Sequence, residues 1–287
     1  MILLDIIIGG LLKGGIYALL ALGFNLQYGV ARILNISYGQ WIMLGAMGTF
    51  TLHTVLGINP LVCLAVCAPI LFLLGFVINW VLFERLRKVS ESVDILAGRS
   101  ILVSFGLLFI IENVALLIWS SEPRGYSFLT NSVNILGALF AANRLTALVF
   151  ALMIGFIFYL FLVHTRLGKA IRAASQNERG ARLIGVNIDW VQGVCFALGA
   201  LLAGLAGVLL STMFTVSPFM GMPYTIIAII VVVLGGLGQI LGSLAGGLIL
   251  GLIGNIVAHI EPGLELVIFY MLFVIIILVR PKGIFGR

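Results

Sequence analysis

The run LVCLAVCAPILFLLGFVINWVLF, Leu61 to Phe83, is longer and drier than a water-soluble core requires. About 20 apolar residues at ~1.5 Å rise cross a bilayer core of roughly 30 Å, and continuous runs of this kind satisfy their backbone in lipid only as helices. A β-barrel needs short alternating segments, which are absent. Similar runs recur near residues 6–28, 39–57, 60–83, 101–119, 145–163, 191–216, 224–236, 243–259 and 264–279, in a chain that is 62% hydrophobic and only 9% charged. The expected fold is all-α: one polytopic transmembrane helix bundle over residues 1–287, with eight or nine membrane segments. The opening MILLDIIIGG has neither a basic n-region nor a small-residue cleavage site, so the first run is expected to be retained.

The seventh run is short and flanked by glycine. GGLGQILGSLAGG, Gly235 to Gly247, predicts a break between two half-length or tilted helices, because glycine frees the backbone and the polar atoms released there need protein or water as partners. Gly235, Gly236 and Gly238 are accordingly pathway candidates. Small residues also recur at spacing four, at Gly193 and Ala197, at Ala203, Gly207 and Ser211, and at Gly247 and Gly251. Such columns let helix backbones approach closely where the hydrophobic effect no longer distinguishes helix from lipid.

Lysine and arginine set the expected orientation. The loop 84–100 carries Arg85, Arg87, Lys88 and Arg99, the loop 164–190 carries Arg166, Lys169, Arg172, Arg179 and Arg182, and the C-terminus carries Arg280, Lys282 and Arg287. These regions are expected in the cytoplasm. The turn at Glu261, Pro262 and Gly263 and the stretch SSEPRGYSFLTNSVN, Ser120 to Asn134, are expected outside. Topology thus accounts for most of the net charge of +6, and no nucleic-acid partner is implied.

Catalytic patterns are missing. His53, His164 and His259 are scattered, and there is no H-E-x-x-H, no serine elbow between glycines and no acid pair within one apolar run. Cys63, Cys67 and Cys195 read as buried packing residues rather than metal ligands. No G-x-x-x-x-G-K-[ST] loop is present, so any ATP hydrolysis belongs to another chain. Two ionisable groups interrupt apolar runs: Glu112 in LLFIIENVALLIW and Lys13 in IIIGGLLKGGIYALL. At membrane depth such groups are expected to serve function or to have a buried partner or a water cavity. The alternatives are that Lys13 reaches along its stem to an interface and that Glu112 is protonated or capped by neighbours.

The loop HTRLGKAIRAASQNERGARLIGVNIDWVQG, His164 to Gly193, is too polar to enter the membrane, yet its alanines and isoleucines predict one or two short helices. Asn177 is placed to cap the second, Gly185 to end it, and Asp189 with Gln192 to start the next membrane helix. Within it, GKAIRAASQNERGARLIGVN, Gly168 to Asn187, resembles the cytoplasmic coupling loop of LivH-type permeases, the membrane subunits of bacterial ABC importers for branched-chain amino acids. The resemblance continues through GGIYALLALGFNLQYGVARILNISYGQWIMLGA, FALGALLAGLAGVLL, VVLGGLGQILGSLAGGLILG and the terminal VRPKGIFG, and so covers nearly the whole chain.

The resemblance implies a multi-pass protein of the bacterial inner membrane with a cytoplasmic C-terminus. It implies a second permease subunit, either LivM-like or another copy of this chain, two cytoplasmic ABC ATPases that bind ATP and Mg, and a periplasmic or extracellular solute-binding protein. It also implies that Ala170, Arg172, Ala173, Asn177, Glu178, Arg179, Gly185 and Asn187 form or shape the surface that docks into an ATPase cleft. Gly180 stands where the family often has alanine. Tyr38 and Gln40 stand where many relatives read histidine and an acid, and Leu241 replaces a usual proline. The expected solute is a branched-chain or other hydrophobic amino acid, with urea, short amides or small organic acids as the alternative. A self-contained secondary transporter or channel using Glu112 is the reading from another class, ahead of a membrane scaffold or enzyme.

RILNISYGQ, Arg32 to Gln40, breaks the first apolar stretch. With nine crossings it lies inside and the N-terminus outside; with eight it is a re-entrant loop. Ser37 and Gln40 have the S-x-x-Q spacing of a capping box, and Arg32 reads as an interfacial anchor. Asn35 and Tyr38 are not consumed by that cap, and the resemblance places this break beside the pathway. They are therefore the candidates for solute or gate contact.

Overall fold

The computed structural model describes residues 2–135, 138–280 and 283–284, so Lys282 and Arg287 lie outside the described residues. The helices are α1 (Ile2–Ala31), α2 (Tyr38–Leu56), α3 (Pro60–Ile78), α4 (Glu84–Val89), α5 (Val93–Trp119), α6 (Ala142–His164), α7 (Arg166–Gln176), α8 (Glu178–Leu183), α9 (Ile188–Ser211), α10 (Gly221–Gly235), α11 (Ile240–Ile260) and α12 (Glu265–Val279). A π-helical turn, Asn79–Phe83, joins α3 to α4 without ending the helix. A small antiparallel hairpin, β1 (Ser132–Ile135) and β2 (Ala138–Ala141), precedes α6; the sequence reading did not anticipate it.

Among the described residues, eight helices are long and apolar enough to cross a membrane. They are α1, α3 continued through α4, α5, α6, α9, α10 with its preceding turn, α11 and α12. The chain is a multi-pass membrane protein. Helix α2 has 19 residues, ~28 Å at helical rise, but its glycines, threonines and glutamine keep it below that hydropathy. It tolerates polarity because protein, not lipid, surrounds its first half: Tyr38, Gln40, Trp41, Ile42 and Met43 are all fully buried.

Side-chain contacts fix which helix ends lie together. Helices α1 and α11 run antiparallel, with Gly10 against Leu252, Gly14 against Leu248 and Asn25 bonded to Ser243. Gln192, in the first turn of α9, donates to the carbonyl of Val30 at the end of α1. Ile284 donates to Leu234 near the end of α10, which brings the C-terminal tail to the same end. Arg99 at the start of α5 donates to Val89 at the end of α4. One end of the bundle therefore gathers Arg32, α4, α7, α8 and Arg280, and is strongly basic. The opposite end carries the hairpin, Glu261 and the Tyr126 phenol, which burial pushes up to about 12 and which shares a hydrogen bond with Ser211 at 2.8 Å. Traced this way, the chain passes between the two ends nine times, with α2 as the ninth passage.

Helix α9 is the centre. Nearly every residue from Val191 to Ser211 is buried against α1, α2 and α3. The small-residue columns do this work: a Cβ at Gly207 would strike the Ile42 carbonyl, one at Gly45 the Gly204 carbonyl, and one at Gly251 the backbone of Gly14. Of the columns expected from sequence, Gly207 and the Gly247–Gly251 pair are backbone-to-backbone crossings, whereas Gly193 faces the Asn79 and Phe76 side chains.

Candidate functional site

Two unwound stretches meet the C-terminal half of α1. The first is the 32–37 segment. Arg32 ends α1 in a left-handed conformation, φ 54°, and the chain then runs extended and buried instead of returning along the surface. Backbone polar groups at this depth need partners, and hydroxyls from other helices supply them. Leu34 N donates to Ser100 Oγ at 3.2 Å and Ile36 N to Ser104 Oγ at 3.0 Å, one helical turn further along α5. Ser104 Oγ in turn contacts the Leu34 carbonyl. Thr225 Oγ1 on α10 accepts from Gly39 N at 2.8 Å and contacts the Ile36 carbonyl at 3.2 Å. Helix α2 therefore starts inside the bundle.

Its start differs from the expected capping box. Ser37 is the N-cap by position, but its side chain makes no cap bond and donates to Asn35 Oδ1 at 2.6 Å. Gln40 does not reach back; its Nε2 donates to Glu112 Oε2 at 3.1 Å. That bond accounts for the polar group in the α5 run and puts Glu112 against α2. Asn35 is buried and donates to Gln27 at 3.0 Å, and the fully buried Tyr38 donates its phenol to the Leu20 carbonyl at 2.7 Å. Gly23 makes room for that phenol, since a Cβ there would overlap it. Asn35, Tyr38 and Glu112 are thus held around the break by separate bonds, to Gln27, to the Leu20 carbonyl and to Gln40.

The second stretch is 236–239. Helix α10 stops at Gly235, and Gly236 and Gly238 adopt φ 98° and 81°, which only glycine holds without strain. Helix α11 then runs a full 21 residues, so the break separates a short helix from a full-length one rather than two half-length helices. Asn25 on α1 staples it: Oδ1 accepts from Gly238 N and Nδ2 donates to Ser243 Oγ, both at 2.6 Å. Two residues on, Gln27 donates to the Phe196 carbonyl of α9 at 2.9 Å while accepting from Asn35. Asn25 and Gln27 were not singled out from sequence. The signal available was two amides at spacing two inside the apolar run GFNLQYG.

At the basic end, α7 and α8 form a fixed platform. Thr165 caps α7 by accepting from Gly168 N at 2.9 Å, and Gly168 packs so closely on the Leu162 backbone that a Cβ would collide with it. Ile171 and Ala174 are buried on the inner face. Asn177 caps α8 through Gly180 N at 3.0 Å, as expected, and Gly185 turns the chain at φ 87°. The cap of α9 is Asn187, accepting from Trp190 N at 3.1 Å, and not Asp189 with Gln192. Asp189 instead lies 3.6 Å from Arg182, which also pairs with Glu178 at 3.2 Å, while Gln192 points inward to Val30.

The expected docking residues therefore do different things. Asn177, Gly185 and Asn187 shape the platform, Ala170 and Ala173 are half-buried on it, and Arg172 anchors to the Val163 carbonyl at 3.3 Å. Arg172, Glu178 and Arg179 are exposed. Beside them stand Leu183 and Ile184, 88% and 77% exposed. A cleft of about 410 Å³ separates the platform from Arg32, Arg87 and Lys88.

A family model described as "Branched-chain amino acid transport system / permease component" matches residues 6–277. The chain belongs to this family. It is 29% identical over 299 residues to the high-affinity branched-chain amino acid transport system permease protein BraD of Pseudomonas aeruginosa, covering 98% of this chain and 95% of that one. It is 29% identical over 294 residues to the corresponding LivH of Escherichia coli, covering 97% and 94%. A probable branched-chain amino acid transport permease protein LivM of Methanocaldococcus jannaschii is 24% identical over 285 residues, covering 82% and 76%.

Proposed function

We propose that this chain is the membrane-spanning permease subunit of an ATP-driven importer and forms half of the path for a branched-chain or other hydrophobic amino acid. The observation that carries the proposal is the α7–α8 platform, held by caps and close packing between α6 and α9 while Leu183, Ile184 and Arg179 face outward. In this reading the basic end faces the cytoplasm of a bacterial inner membrane and the N-terminus lies outside. ATP and Mg are bound by two separate ATPase subunits. A second permease, LivM-like or another copy of this chain, completes the path, and an external binding protein delivers the solute.

A short helix fixed to two membrane helices transmits ATPase closure as rigid-body movement. Because Asn187 joins the platform directly to α9, and α9 contacts α1, α2 and α3, movement of the platform reaches both unwound stretches. Reconstituted transport is expected to need ATP, the ATPases and the binding protein; solute flux through this chain alone in liposomes would refute the reading in favour of a channel or secondary transporter. Reversing charge at Arg172 and Arg179 is expected to uncouple ATP hydrolysis from uptake in the assembled complex, and unchanged uptake would remove those residues from the interface.

A further inference from the structure

At the end opposite the platform, a cavity of about 370 Å³ lies between α1, α9, α10 and α12. Its walls are mainly apolar, with Ile16, Leu210, Ile227 and Phe269 among them, but one ion pair faces into it. Lys13 Nζ donates to both carboxylate oxygens of Glu265, at 2.9 and 2.8 Å. The two side chains keep 24% and 19% of their surface exposed, so the pair is neither sealed between helices nor solvated at a surface. Glu265 opens α12 while Lys13 lies two turns into the α1 membrane span, and a part-buried ion pair there holds two helices no better than well-packed apolar residues would. Its exposure to a cavity of ligand size calls for another explanation.

The charges define what can enter. A solute bearing one carboxylate and one ammonium exchanges the single Lys13–Glu265 contact for two, Lys13 to carboxylate and Glu265 to ammonium. A simple organic acid satisfies Lys13 but sets like charges together at Glu265, and a simple amine does the reverse. A neutral amide or urea separates the pair without replacing either charge. The apolar walls accept an aliphatic side chain. The neighbouring wall residue, Tyr224, precedes Thr225, whose hydroxyl holds the 32–37 break, so the helix that lines the cavity also supports the unwound stretch.

We infer that this cavity receives a zwitterionic amino acid with an aliphatic side chain, its carboxylate on Lys13 and its ammonium on Glu265. The inference rests on the importer reading and narrows its solute class. The test uses the complete complex with its binding protein in proteoliposomes and follows uptake of labelled leucine and isoleucine. The double substitution Lys13→Met with Glu265→Gln removes both charges at similar volume, and the pair Lys13→Glu with Glu265→Lys reverses them. Both are expected to copurify with the ATPases at wild-type yield. The neutral pair should raise the uptake KM at least tenfold, and the reversed pair should recover assembly without recovering uptake. Uptake that returns with the reversed pair would identify a helix clamp and overturn the inference, as would a wild-type KM in the neutral pair.

Met213→Trp fills the cavity from its lining and leaves the pair intact, so the inference stays exposed to refutation if the charge variants fail to assemble. Uptake should fall at least tenfold in the assembled complex, and unchanged uptake would overturn the proposal. Absence of ATP-dependent uptake by the wild-type complex would overturn the importer reading itself; normal wild-type uptake with unaffected variants would overturn the cavity assignment alone.

Discussion

Removing one hydroxyl, at Thr225, tests whether the 32–37 stretch is held by side chains in place of a helix ladder. Thr225→Val keeps shape and volume and deletes the atom that accepts from Gly39 N at 2.8 Å and contacts the Ile36 carbonyl at 3.2 Å. Gly39 lies in the first turn of α2, where an N–H has no intrahelical acceptor, and the residue is buried. Orphaning a buried donor costs about 1–3 kcal/mol. The Ile36 carbonyl adds less, because Thr225 Oγ1 also lies 3.3 Å from the Gly221 carbonyl and has one proton for the two acceptors. The expected loss is about 2–3 kcal/mol, or roughly 30- to 150-fold in the folding equilibrium. Thr225→Ser is the control: it keeps the hydroxyl, removes one methyl and should cost about 0.8 kcal/mol. Denaturant titration in detergent, read by tryptophan fluorescence, measures both, and Trp41 is a fitting reporter because it is fully buried three residues after Tyr38. A Val variant as stable as the Ser variant would show that Thr225 does not support the break.

Gly207→Ala pushes a Cβ into the Ile42 carbonyl and should cost about 1–3 kcal/mol in the same titration, whereas Gly106→Ala, which meets open space on α5, should be neutral or slightly stabilising. Equal effects would mean that the α2–α9 crossing is not limited by backbone approach. Asn187→Ala removes the α9 cap at the platform junction and should cost about 1 kcal/mol, with ATP-coupled uptake falling more than complex yield; a parallel fall in both would assign Asn187 a purely structural part.

The helices were legible because lipid imposes a length and dryness that few other sequences have, and the 236–239 break was legible because glycine there adopts conformations other residues avoid. The platform was legible from its own caps: Asn177 to Gly180 is a bond over three residues. What failed were local readings beaten by distant partners. Ser37 and Gln40 have capping spacing, but Asn35 lies nearer to the Ser37 hydroxyl and Glu112 attracts the Gln40 amide. Lys13 has the partner its membrane depth called for, but Glu265 lies 252 positions away, where no local pattern could name it. Leu183 and Ile184 fit an apolar pattern whose period does not say which face lacks a neighbour within the chain.

The same long-range bonds explain why the breaks and the platform belong to one device. Asn187 starts α9 at the platform; one turn later Gln192 holds the end of α1, and Phe196 accepts from Gln27. Gln27 accepts from Asn35 in the first break, and Asn25 holds Gly238 in the second. The first turns of α9 and the last turns of α1 are thus tied at two points and packed too closely for independent sliding, since a Cβ at Gly199 would meet Gln27 within 3 Å. A displacement of α9 at its platform end must carry the end of α1 with it, and both unwound stretches are bonded to that end. Unwound backbone can change its dihedrals without breaking a helical ladder, so these two stretches are where such a displacement is absorbed.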